Sequence, residues 1–146
     1  MGTVRPTGAP PAALASLNPD VWTEPFWTAA AQHRLVCQKC KSCGTLRNPP
    51  APFCKVCQSQ AVEWVELSGK GTVYTFTVVR HPPIPQLAEA VPYVIAEVEL
   101  AEAKNLLITT NIVNTDPNKV RIGMPVKVVW DETAPGVVIP RFEPTA

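Results

Sequence analysis

Two Cys-x-x-Cys pairs, Cys40-Lys41-Ser42-Cys43 and Cys54-Lys55-Val56-Cys57, stand ten residues apart. Each pair makes a tight knuckle whose sulfurs face one side and whose backbone amides point at them. Two facing knuckles complete a tetrahedral four-thiolate cage with no open position, the pattern of structural zinc. A pair of disulfides is the plain competitor, and an iron-only site of the same geometry is a third option. Cys37-Gln38-Lys39-Cys40 is also a Cys-x-x-Cys. The frame starting at Cys40 is preferred because Gly44 follows it, and the knuckle turn calls for a residue that accepts positive φ. Lys41 would hold that place in the other frame. Cys37 is then a small buried residue or a spare thiol. Gln58, not glycine, follows the second knuckle.

At 146 residues the chain can build one core, or a small module plus a compact domain. Its formal net charge of +1 supplies no field for nucleic acid or an anionic membrane. Its 17 prolines are about twice the usual share and favour short strands and turns over long helices. No apolar run reaches the ~18 residues of a membrane span. The first residues hold one early arginine and a Pro/Ala-rich stretch without an apolar signal core. The expectation is a cytoplasmic protein with reduced thiols.

Residues 1–17 are Pro/Ala/Gly-rich and are expected to pack loosely, or to lie on a partner. Asn18-Pro19-Asp20 reads as a helix start, and Val21, Trp22, Phe26, Trp27 and Ala30 form one apolar face, with Pro25 dividing two short helices or opening the second. Trp22, Phe26 and Trp27 either dock on the cysteine module or await another subunit. Lys39, Lys41, Arg47 and Lys55 make that module basic. They read as a solvated face offsetting thiolate charge, or as a phosphate contact. From Val62 onward the pattern turns to strands. Tyr74, Phe76 and Val78 are expected on one face of the run 72–80, and Val94, Ala96 and Val98 on one face of 93–100. Further strands fall at 105–113, 126–130 and 137–142, and Ser68-Gly69-Lys70-Gly71 is a turn or bulge. Five or six short antiparallel strands suggest an OB-type barrel. The expected organisation is 1–34, arm and short helices; 35–61, zinc ribbon; 62–146, OB-fold domain.

An ordered set of residues carries a family resemblance: Pro25-Phe26-Trp27, Leu35, the two knuckles with Pro49-Pro50 between them, Trp64, Leu67-Ser68-Gly69-x-Gly71-Thr72-Val73-Tyr74-Thr75-Phe76-Thr77, Pro92-Tyr93-Val94, Ile122-Gly123-Met124-Pro125-Val126 and Pro140-Arg141-Phe142. Over residues 19–144 the chain resembles the domain-of-unknown-function family 35. The resemblance implies a mainly β protein with an N-terminal helical segment, a rubredoxin-like zinc ribbon and a C-terminal OB fold. It implies a helper role in acyl-CoA metabolism, as the partner of a thiolase-type enzyme, or of a hydratase or aldolase working on CoA thioesters.

The residues themselves fit a non-catalytic subunit. Four of five thiols are committed to metal, His33 and His81 are the available imidazoles, and neither a Gly-x-Ser-x-Gly elbow nor a Gly-rich phosphate loop is present. The expectation is an accessory subunit of a thiolase-type enzyme in a hetero-oligomer, helping to form its acyl-CoA channel. One structural zinc per chain and a CoA thioester held by the complex are the implied ligands. Arg80, His81 and Tyr93 are candidate contacts to the pantetheine arm or a CoA phosphate, on or beside the Arg80–Pro92 loop, and Trp22, Phe26 and Trp27 are candidate partner contacts. The rival reading is a single-strand nucleic-acid binder stacking bases on Tyr74, Phe76 or Trp130. The near-zero net charge speaks against it.

Overall fold

The computed structural model describes residues 8–145. Asp20 opens the turn that leads into the helix: its Oδ1 accepts the amides of Trp22 and Thr23, each at 2.9 Å. One helix follows, α1 (Glu24–Ala30), with Pro25 in its first turn, where a missing N–H costs nothing. The two-helix alternative is not realised. The helix ends at His33, whose φ is 58°. There the His33 amide donates to the Ala30 carbonyl (2.9 Å) and the Arg34 amide to that of Ala29 (3.0 Å), the double closure of a Schellman end. The His33 ring stacks on Trp130 at 5.6 Å, and its Nε2 lies 2.7 Å from Glu132 Oε1. The end of α1 is thereby pinned to the barrel.

Strands β1 (Val36–Cys40), β2 (Leu46–Arg47) and β3 (Val62–Glu66) form a three-stranded antiparallel sheet in the order β2-β1-β3. The strand expected at the head of residues 62–146 therefore pairs with the ribbon. Strands β4 (Lys70–Val79), β5 (Tyr93–Leu100), β6 (Leu107–Ile112), β7 (Pro125–Ala134) and β8 (Val137–Pro144) close a barrel in the order β4-β5-β6-β8-β7. Its seam is a single parallel pairing, Ile112 opposite Phe142.

In β5 the expected alternation holds, with Val94, Ala96 and Val98 buried. In β4 it does not. A bulge between Val73 and Thr75 shifts the register, so Val73 is buried, Phe76 and Val78 pack on the core and Tyr74 points to solvent. Just ahead of the bulge, a Cβ on Gly71 would lie 2.5 Å from the Glu99 carbonyl oxygen, so β4 and β5 close here only around a glycine.

Ribbon, helix and barrel share one core: Phe26 and Ala29 of α1 and Leu35, Val36 and Cys37 of the ribbon join Val98, Ile112 and Phe142 of the barrel. The Pro/Ala-rich segment is less loose than expected where it is described. Ala12 is fully buried in a 3-10 turn (Ala12–Leu14), and the Pro10 carbonyl accepts from Arg141 Nη2 at 2.8 Å. Residues 1–7 lie outside the described residues. Arg141 is itself buried and pairs with Asp131 at 3.0 Å. Among the described residues no helix is long and apolar enough to cross a membrane.

Candidate metal centre and the cleft beside it

The four predicted ligands converge. The Sγ atoms of Cys40, Cys43, Cys54 and Cys57 all lie within 4.8 Å of one another. Cys40 and Cys57 are 3.5 Å apart, and Cys43 and Cys54 are 3.6 Å apart. A tetrahedron with Zn–S bonds of about 2.3 Å has edges of about 3.8 Å, so the cage fits that ion.

The two knuckles are built alike. Gly44 and Gln58 donate their amides to the carbonyls of Cys40 (2.9 Å) and Cys54 (3.0 Å), and their φ angles are 76° and 63°. Gln58 thus takes the left-handed position that the sequence reserves for glycine in the first knuckle. Amides also tune the sulfurs. Those of Cys57 and Val56 bring the Cys54 thiol down to about 6, and those of Cys43 and Ser42 lower Cys40. At Cys57 the Ser59 amide favours the thiolate, but proton sharing with Cys40, burial and the other two thiols push it up to about 12. Four thiols this close resist joint ionisation, and a divalent cation at their centre reverses that by deprotonating them. The set is closed and all-sulfur, which suits a structural zinc.

Cys37 is not part of the cage. It is buried on β1 opposite Val65, and burial first, with the Glu102 charge second, pushes its thiol up to about 11. It is a core residue, as the preferred frame requires. All five cysteines are free of disulfides.

Beside the ribbon lies a cleft of about 620 Å³. Phe26 and Trp27 of α1 form one wall, with their rings edge to face at 5.0 Å. Asn48, Pro49 and Pro50, from the loop between the knuckles, form the second wall. Leu107 and Ile108 of β6 and Ile139 and Pro140 of β8 form the barrel side. Asn48 Nδ2 donates to the Leu107 carbonyl at 2.9 Å, tying the ribbon loop to the barrel. Among the described lining residues the one charged side chain is Glu97, which accepts the Thr109 hydroxyl.

The structure thus gathers two of the six predicted contact residues, Phe26 and Trp27. Trp22 is half-buried outside the cleft. Arg80 is exposed at the end of β4, its Nη2 donating to Asn118 Oδ1 at 2.7 Å, and His81 is exposed next to it. Tyr93 is buried opposite Val79. The loop wall and the β6 and β8 wall were not singled out by sequence. The one signal for them was the Pro49-Pro50 and Pro140 positions within the resemblance.

The comparisons with known proteins follow the same architecture. Residues 27–63 match the rubredoxin-like zinc ribbon domain of ChsH2, and residues 64–131 match the ChsH2 C-terminal OB-fold domain. A DUF35 domain-containing scaffold protein of Methanocaldococcus jannaschii is 41% identical over 97 residues, 66% of this chain and 67% of that protein. The chain belongs to the DUF35 family. This DUF35 chain is also 48% identical over 120 residues to a probable enoyl-CoA hydratase alpha subunit of Thermomonospora curvata, covering 82% of the chain and 36% of that protein. It is 35% identical over 134 residues to a 3-oxo-4,17-pregnadiene-20-carboxyl-CoA hydratase alpha subunit of Mycobacterium tuberculosis, covering 86% and 42%. The DUF35 chain therefore spans about two fifths of the length of these two relatives. Among solved structures, a chain of an Ltp2-ChsH2(DUF35) aldolase superposes with a TM-score of 0.80 at 41% identity, covering 90% of this chain and all of that one.

Proposed function

We propose that this DUF35 chain is a non-catalytic accessory subunit of an enzyme acting on CoA thioesters, and that the cleft between α1, the ribbon loop and the barrel forms part of the acyl-CoA channel. The observation that carries the reading is the cleft itself: roomy, largely apolar, and walled by three parts of the chain at once. An aromatic and proline lining suits the apolar arm of a thioester. Among its described lining residues the one charged group is a carboxylate, which does not suit phosphates. Those would be read outside it, and exposed Arg80 and His81 are the proposed groups. Zinc holds the ribbon, and with it the loop wall, in shape.

The catalytic partner is proposed to be a thiolase-type chain in a hetero-oligomer. For the chemistry of the assembly, the names of the relatives favour a hydratase or an aldolase. The near-zero net charge and a cleft whose described lining holds a carboxylate as its one charged group give no support to nucleic-acid binding.

Native mass spectrometry of the gently purified protein tests the reading. One zinc per chain together with a co-purifying catalytic chain is expected, and a zinc-loaded chain that captures no such enzyme overturns it. In the assembled complex, Trp27→Ala is expected to raise KM several-fold for long-chain CoA thioesters and little for the shortest acyl-CoA that undergoes the same reaction. The Arg80→Ala, His81→Ala pair is expected to raise it equally for both.

A further inference from the structure

Lys39, Lys41, Arg47 and Lys55 are expected from the sequence to form a solvated face or a phosphate contact. Lys41 and Lys55 are exposed. Arg47 is not: it is 5% exposed, and the Gln38 opposite it on β1 is 1% exposed. Arg47 Nε donates to Gln38 Oε1 at 2.6 Å, Arg47 Nη2 to the Ala51 carbonyl at 3.0 Å, and the Ala51 amide to Gln38 Oε1 at 2.9 Å. The guanidinium and the side-chain amide thus clamp Ala51 by both backbone groups. Arg47 is absent from the ion pairs found among the described residues, and its Nη1 and Gln38 Nε2 are buried without a partner.

A guanidinium removed from water with no carboxylate beside it is strongly destabilising unless other negative charge lies close. Side chains alternate along a strand, so Gln38 shares its face of β1 with Cys40, and Arg47, directly opposite Gln38, stands on that face too. Four thiolates around a divalent cation leave a net charge of −2 at this end of the sheet. The clamped residue, Ala51, belongs to the loop that lines the cleft through Asn48, Pro49 and Pro50 and delivers Cys54 to the cage.

We propose that Arg47 is a positioning residue joining the metal cage to the cleft. Its buried charge answers that of the zinc tetrathiolate, and its fork, with Gln38, fixes the shared loop so that cage and cleft wall form one unit. The proposal rests on the zinc reading of the four cysteines.

The test uses the zinc-loaded full chain. Zinc affinity is measured by chelator competition for wild type, Arg47→Met, Arg47→Lys and, as a solvated-cation control, Lys55→Met. Backbone amide signals of Asn48, Ala51 and Leu107 and the Trp27 indole signal are followed by NMR. Arg47→Met is expected to weaken zinc binding by about 10- to 100-fold, whereas Lys55→Met stays within about twofold because water screens its charge. Arg47→Lys keeps the charge but not the fork. It is expected to retain more affinity than Arg47→Met and yet to shift the loop and Trp27 signals. Wild-type affinity in Arg47→Met, or a loss no larger than in Lys55→Met, overturns the charge role. Unmoved loop and Trp27 signals in Arg47→Lys overturn the coupling role, and this variant decides should the methionine variant fail to fold. A wild-type chain that holds no zinc sinks the metal reading and the proposal together.

Discussion

At Gln58 the backbone adopts a φ of 63° that side chains with a Cβ resist, while Gly44 meets the same demand in the other knuckle without strain. Gln58→Gly is expected to stabilise the zinc-loaded protein by about 0.5–1 kcal/mol, measured by denaturant unfolding at fixed zinc. An unchanged or lowered midpoint would count against the strain at this turn. The cysteines separate as cleanly. Cys40→Ser or Cys54→Ser is expected to lose the metal and destabilise the ribbon, since binding and folding of such a site are coupled. Cys37→Ser is expected to keep it. Because burial holds the Cys37 thiol near 11, iodoacetamide at pH 8 is expected to leave it unmodified in the native zinc-loaded protein. Loss of zinc in Cys37→Ser with retention in Cys43→Ser would reverse the ligand frame. The cage was legible because its spacing is itself the chemistry. Arg47 was not, because its burial depends on Gln38, a residue of another strand that local composition does not reveal.

Among the elements, β7 and β8 carry the buried pair Asp131 and Arg141. Burial acts to raise the Asp131 carboxyl, but the Thr133 hydroxyl and amide and the Arg141 guanidinium outweigh it and hold the group below its ordinary 3.8. The native state therefore binds fewer protons than the unfolded chain in this range. The contribution is present in full above the unfolded value and is lost as pH falls through the lower folded one. Wild type is expected to exceed Asp131→Asn in stability at pH 7 and to lose that margin below about pH 4, as urea unfolding of both at the two pH values would show. Zinc loss in acid affects both proteins alike, so a margin that persists at low pH would refute the assignment. Arg141→Met at pH 7 is expected to cost about 3–5 kcal/mol by stranding Asp131. The strands themselves were largely readable. The alternation of β5 is kept because nothing interrupts it, whereas in β4 the bulge before Thr75 turned Tyr74 outward and could not be seen in a run of alternating residues. The short helix differed from expectation for a similar reason: the Asp20 turn consumes the residues ahead of Pro25.

For the whole molecule, the way the barrel closes is expected to set which part gives way first. Strands β4 and β5 are matched over eight residue pairs, while β6 and β8 are matched at one, with the Val113 amide donating to the Phe142 carbonyl at 2.8 Å. Pro140 has no amide to extend that ladder. Side chains hold the rest: the Thr110 hydroxyl on the Pro140 carbonyl at 3.1 Å, and Arg141 on Asn111. A cylinder sewn this way is a spring clip more than a hoop, strong along its staves and separable at one edge. Native-state hydrogen exchange is expected to release the Val113 amide through a smaller opening than the amides of Ala96 and Val98, and Thr110→Val is expected to widen that difference without moving the β4–β5 amides. Equal protection on both sides would mean the clip opens only when the protein unfolds. A partner seated across β6 and β8 would then be read as loss of that fast exchange, giving the assembled complex a signature in time as well as in shape.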